Sequence, residues 1–144
     1  MASDRGVMRM NPDPQLRAKL LVWWIIWGAT LAGLGLLYVF FGRRPLPPPD
    51  GKDLILNLAG VVPLFVSIII RWLVLPRFGD LTRALPMFIA GIALAEACGI
   101  IGIFLGGPYR EALWLLGMLG IGQFIPFFAY QIADPKPKGY IPNN

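Results

Sequence analysis

Four long apolar runs, at residues 20–41, 54–75, 86–105 and 112–130, constrain this chain more than any other feature. Each is close to the ~20 residues that a helix rising ~1.5 Å per residue needs to cross ~30 Å of hydrocarbon. In lipid every backbone N–H and C=O must be paired within the protein, which leaves helices and closed barrels. The runs are too long and too evenly apolar for the ~10-residue alternating strands of a barrel. The expected fold is therefore all-α: a polytopic membrane protein with four transmembrane helices in an up-down bundle.

Composition agrees with that reading. Hydrophobic residues make up 56% of the 144, charged residues only 15%, and the mean hydropathy is +0.63, too apolar for an ordinary soluble domain. The first run has 22 residues, longer than the ~7–15 of a signal-peptide core, and reads as a retained helix. The domain organisation follows: an N-terminal arm at 1–19, a membrane domain at 20–130 and a C-terminal tail at 131–144 with Pro135, Pro137 and Pro142. The first connection carries Pro45, Pro47, Pro48 and Pro49 and is expected to be a stiff polyproline spacer. The 19-residue arm falls well below the ~40 residues at which an unaided domain begins to be feasible.

Basic residues set the direction. One side holds nine: Arg5, Arg9, Arg17, Lys19, Arg71, Arg77, Arg83, Lys136 and Lys138. The other holds four: Arg43, Arg44, Lys52 and Arg110. By the positive-inside rule both termini are expected in the cytoplasm, with the protein in a bacterial inner membrane. The lipid bilayer is thus its first partner. The net charge of +5 is distributed between apolar segments, so no nucleic-acid partner is expected.

Several chemistries are excluded by residue type. There is no histidine and a single cysteine, Cys98, so bis-His haem, zinc, His-based acid–base catalysis and an intramolecular disulfide framework are all ruled out. No metal or other cofactor is expected. Without a nucleophile–base pair or a phosphate loop, the chain is not expected to be an enzyme.

One residue asks for a reason. Glu96 is the only charge between Arg83 and Arg110, near the middle of the third run. A carboxyl at mid-membrane opposes insertion by roughly 2.5–3.5 kcal/mol, so such groups face a partner or a wet cavity. At 100° per residue Gly91, Ala95, Cys98, Gly99, Gly102 and Gly106 fall within a sector of about 100°, a small-residue seam that lets another helix approach. Glu96 sits about 60° beyond Gly99, at the border of the seam. The short connection 106–110 makes the third and fourth helices a hairpin, which brings Gln123 within about one turn of the depth of Glu96 and allows a hydrogen bond between them.

Other intramembrane residues have plainer expectations. Arg71 lies near Pro76 and reads as an interfacial anchor that snorkels to the cytoplasmic surface. Trp23, Trp24, Trp27, Trp72, Trp114, Tyr38, Tyr109 and Tyr130 read as an aromatic belt at the membrane surfaces. Pro63 and Pro126 read as kinks whose freed carbonyls are satisfied again by neighbours, and Thr30 and Ser67 as residues bonded to their own backbone.

The stretch 88–105, which contains Ala93-Leu94-Ala95-Glu96-Ala97 followed by Ile100-Ile101-Gly102, resembles the ion-carrying helix of the proteolipid ring subunits of rotary ATP synthases. That resemblance implies that Glu96 is an ion carboxylate with Gly99 and Gly102 as its packing neighbours. Over its whole length, through Glu96, Gly99, Gly102 and Pro126, the chain is similar to small four-helix bacterial membrane proteins, which implies an architecture without an activity.

Two functions therefore lead, ahead of a third in which the bundle binds an apolar ligand. In the first, the protein has a structural or accessory role, packing within or against a larger membrane complex or a homo-oligomer through its third helix, and Glu96 is a neutral acid that holds helices together. In the second, Glu96 carries H⁺ or Na⁺ across the membrane, with Gln123 as a co-ligand.

Overall fold

The computed structural model describes residues 14–45, 48 and 53–133. Most of the N-terminal arm, most of the proline-rich connection and the tail beyond 133 lie outside the described residues, as do Arg5, Arg9, Lys52, Lys136 and Lys138. The described residues are helical, with no strand among them.

Helix α1 spans Pro14–Leu37 and runs on as a π-helical turn at Tyr38–Gly42; α2 spans Asp53–Ile69, continues as a π-helical turn at Ile70–Val74 and closes in a 3₁₀ turn at Leu75–Arg77. Helix α3 spans Leu81–Leu105, a 3₁₀ turn follows at Gly107–Tyr109, and α4 (Arg110–Gly122) and α5 (Phe127–Ala133) complete the chain. Four helical stretches, Pro14–Gly42, Ala59–Arg77, Leu81–Leu105 and Gly107–Ile132, are long and apolar enough to cross a membrane.

Local chemistry explains where two of these stretches differ from the apolar runs. Helix α3 starts at Leu81, ahead of the run beginning at Pro86, because Asp80 in extended conformation caps it by accepting from the Thr82 N–H at 3.2 Å. The fourth run is two helices, since Pro126 has no N–H to donate and the chain unwinds over the four residues 123–126.

The order is up and down. Gln15 and Lys19 of α1 share a cavity with Gly79 and Asp80 of the α2–α3 turn and with Ile132 of α5, so these segments lie at one end. At the other end Arg110 touches the backbone that follows α1, and Gly107, with φ of 49°, supplies the left-handed turn of the α3–α4 hairpin.

Helix α3 forms the centre. Ten of its residues, from Leu81 to Ile103, are buried, whereas α1 buries only Leu20, Trp23 and Leu34. Trp23 stacks on Phe88 with ring centroids 4.2 Å apart, and Phe124 and Phe128 meet Phe88 from the α4–α5 side. Trp23 is 1% exposed, so it belongs to the core and not to a surface belt. Tyr38 likewise stacks on Trp114 at 4.1 Å, whereas Trp72, Tyr109 and Tyr130 are exposed near helix ends.

Candidate functional site

The small residues of α3 fix its register with α4. A Cβ built on Gly117 would stand 2.7 Å from both the Cα and the N of Gly99, so these two backbones touch directly. Gly120 meets Ala95, Gly102 meets Leu113, and Gly91 holds the Phe124 ring. All six seam residues, Gly91, Ala95, Cys98, Gly99, Gly102 and Gly106, are buried. Packing of this closeness is what drives helix association where lipid gives no hydrophobic attraction. The seam is thus occupied inside the bundle, and a partner outside would have to use another face of α3.

Glu96 lies beside this contact and is half-buried. On its helix face Ile92 and Ile103 are buried towards the bundle, while Ile89 and Ala93 on the other flank are exposed. The carboxyl therefore stands at the rim where the packed surface of α3 gives way to its outer surface. No hydrogen bond or ion pair joins it to any described residue.

Gln123 is near in depth but not bonded to it. Pairing Ala95 with Gly120 and Gly91 with Phe124 places Gln123 opposite Ile92, four residues from Glu96 and about 6 Å along the axis at ~1.5 Å per residue. Its Nε2 is buried without a partner, so the hydrogen bond to Glu96 that the hairpin allowed is not formed. A residue count gave the depth correctly. It could not give the rotation of a chain that leaves the helix after Gly122.

Four other polar side chains of the apolar stretches donate to main-chain carbonyls, whereas Trp114 Nε1 is buried without a partner among the described residues. Trp27 Nε1 donates to Ile121 at 3.0 Å and Arg71 Nε to Gln123 at 2.7 Å, so neighbouring helices satisfy two carbonyls at the Pro126 break. The Gly122 carbonyl, which Pro126 leaves without its helical donor, accepts from the Ile125 N–H at 3.1 Å. Thr30 bonds the Ile26 carbonyl of its own helix at 2.9 Å, as expected. Ser67 does not follow its own backbone: its Oγ donates across to Gly91 at 2.7 Å, joining α2 to α3.

Arg71 does more than anchor a helix end. It is half-buried beside a cavity near the α2–α3 turn, with its guanidinium carbon 3.8 Å from the centre of the Phe128 ring. It lies in the π-helical turn Ile70–Val74, whose wider winding shifts the 100° phase on which a helical wheel depends. Arg110, read from sequence only as a loop charge, is 8% exposed and donates through Nη1 to the carbonyls of Gly42 at 2.8 Å and Arg44 at 2.7 Å. The one sequence signal for these roles was a cation inside or beside an apolar run; nothing in the sequence pointed to Ser67.

Compared with protein-family models, curated proteins and solved structures, the chain matches none.

Proposed function

We propose that this is a multi-pass protein of the bacterial inner membrane, with both termini in the cytoplasm, and that it serves as a structural or accessory subunit. In this reading it packs against a larger membrane complex or a second copy of itself through the outer flank of α3. The observation that carries the proposal is the contrast between Glu96 and four other polar side chains. Trp27, Ser67, Arg71 and Arg110 join helices within the chain, whereas Glu96 stands at the rim with no partner there. A neutral carboxyl at that depth needs a hydrogen-bond partner, and a neighbouring helix can supply it. No catalytic step enters this role.

Size analysis in mild detergent tests it. The wild-type chain should migrate as an assembly larger than one copy, Glu96→Gln should keep that size, and Glu96→Leu should release the folded monomer. A wild-type protein that is monomeric in both mild detergent and bilayers would remove the accessory reading.

The position of Glu96 also supports a second reading, ion or proton translocation, because a carrier must be reachable from outside its own bundle. Dicyclohexylcarbodiimide, which reacts with protonated membrane carboxyls, is then expected to label Glu96 more at low pH than at high pH, and not to label Glu96→Gln. No labelling in intact membranes at any pH would count against translocation.

A further inference from the structure

A cavity of 320 Å³ opens beside Arg71, walled by Trp72, Pro76, Phe78, Phe128 and Gln131. Three contacts fix the guanidinium: Nε is bonded to the Gln123 carbonyl at 2.7 Å, one face lies 3.8 Å from the Phe128 centroid, and Trp72 stands 5.1 Å away. The Nη1 and Nη2 groups make no hydrogen bond to any described residue. The result is a preorganised two-nitrogen edge beside an open cavity, the donor geometry that suits a phosphate or carboxylate.

Charge at this end favours an anion. Arg17, Lys19, Arg71, Arg77 and Arg83 lie here, against Asp80 as the only acid among the described residues of the same segments. A second cavity of 280 Å³, lined by Lys19, shares Gly79 and Ile132 with the first. The walls favour an amphiphile. Trp72 is 63% exposed and Phe128 half-buried, so aromatic surface continues from the guanidinium towards the outside of the bundle, where an acyl chain would lie. Basic pockets between membrane helices, at headgroup depth and flanked by tryptophan, are suited to lipid phosphates.

We propose that this cavity binds the phosphate of an anionic phospholipid, with the Nη edge of Arg71 as its principal donor and Trp72 and Phe128 against the glycerol and upper acyl chain. The proposal rests on the membrane reading above. The phosphate would tie α2 to α5 at the turn-bearing end, next to the point where Arg71 already holds the Pro126 break.

The test uses the full chain reconstituted in vesicles of phosphatidylcholine with and without phosphatidylglycerol, then extracted in mild detergent for native mass spectrometry of retained lipid. Phosphatidylglycerol should be retained over phosphatidylcholine, and Arg71→Gln should reduce that preference about tenfold, the size expected for one charge-assisted contact. Because Arg71→Gln also frees the Gln123 carbonyl, Gln131→Glu is the second variant: it leaves that bond intact, sets a carboxylate in the cavity and should lower retention similarly. Equal retention of the two lipids, or a preference unchanged in Gln131→Glu, overturns the proposal. Displacement by inorganic phosphate without any lipid preference would assign the site to free phosphate and overturn the lipid assignment. Flotation with pure phosphatidylcholine vesicles separates the two levels: a chain that does not float refutes the membrane reading itself, whereas one that floats without a lipid preference refutes only this site.

Discussion

Gly117→Val is expected to separate α3 from α4 and to prevent the bundle from reaching its native packing. At this crossing even a Cβ would stand 2.7 Å from the Gly99 backbone and 3.1 Å from the Ala95 carbonyl. Backbone atoms cannot rotate aside as a side chain can, so the two helices must move apart along their length. In a soluble core such overpacking costs about 1–3 kcal/mol for added methylenes, and a branched side chain against main chain belongs at the upper end or beyond. In lipid the loss is harder to offset, because close packing is itself the source of helix attraction. Thermal unfolding in detergent, followed by near-ultraviolet circular dichroism of the tryptophans, should show the native signal lost or its midpoint strongly lowered. Gly28→Ala is the control. A Cβ there meets nothing within 4 Å, so it should leave the midpoint unchanged or raise it slightly, as alanine favours helix over glycine by about 1 kcal/mol. Equal behaviour of the two variants would show that the α3–α4 contact is not as close as described.

Arg110→Met should be the next most damaging change, and its effect should be local to the end of the bundle that carries the α3–α4 turn. The guanidinium donates to the carbonyls of Gly42 and Arg44, and so ties the end of α1 to the start of α4. Hydrogen bonds from charged groups are worth about 1.5–3 kcal/mol each, and the Arg44 carbonyl, on an exposed residue, can turn to water. A loss on the order of 2–4 kcal/mol follows. Methionine keeps the length and apolar stem while removing the fork, so the change reports on the hydrogen bonds more than on packing. On the proposed topology the orientation should survive, since the side with four basic residues would then hold three against nine. Limited proteolysis should show faster cleavage in the first connection, with the remaining helices still protected. Unchanged cleavage would mean that Arg110 does not hold this end.

Much of the fold was legible because helices long and apolar enough to cross a bilayer are set by length and hydropathy, which a single chain displays directly. The four runs became four helical stretches, and the six seam residues, Gly91, Ala95, Cys98, Gly99, Gly102 and Gly106, lie buried. Boundaries were less legible. Asp80 begins α3 through a cap that apolar counting does not register, and Pro126 divides the last span by removing one backbone donor.

The rotation of individual side chains was the hardest to read, as Arg71 and Gln123 show. Both lie where regular winding fails, Arg71 in a π-helical turn and Gln123 just past the end of α4, so counting residues along a helix does not give the direction of their side chains. Trp23 and Arg110 were misplaced for a different reason. An aromatic or basic residue near a span end is equally suited to the surface or to the core, and only the surrounding helices decide.

The sequence by itself determined that this chain is helical, that four segments can cross a bilayer, and that Glu96 is the one acid in the third apolar run, because these depend on composition along a line. Only the tertiary structure decided that the glycine seam is filled by α4 together with Leu34 and Phe124, that Arg71 and Trp27 reach carbonyls beside the Pro126 break, and that Glu96 is left at the rim without a partner among the described residues. Those outcomes depend on which helices meet and at what rotation. That is fixed by close contacts between residues far apart in the chain, with no periodic trace in the sequence.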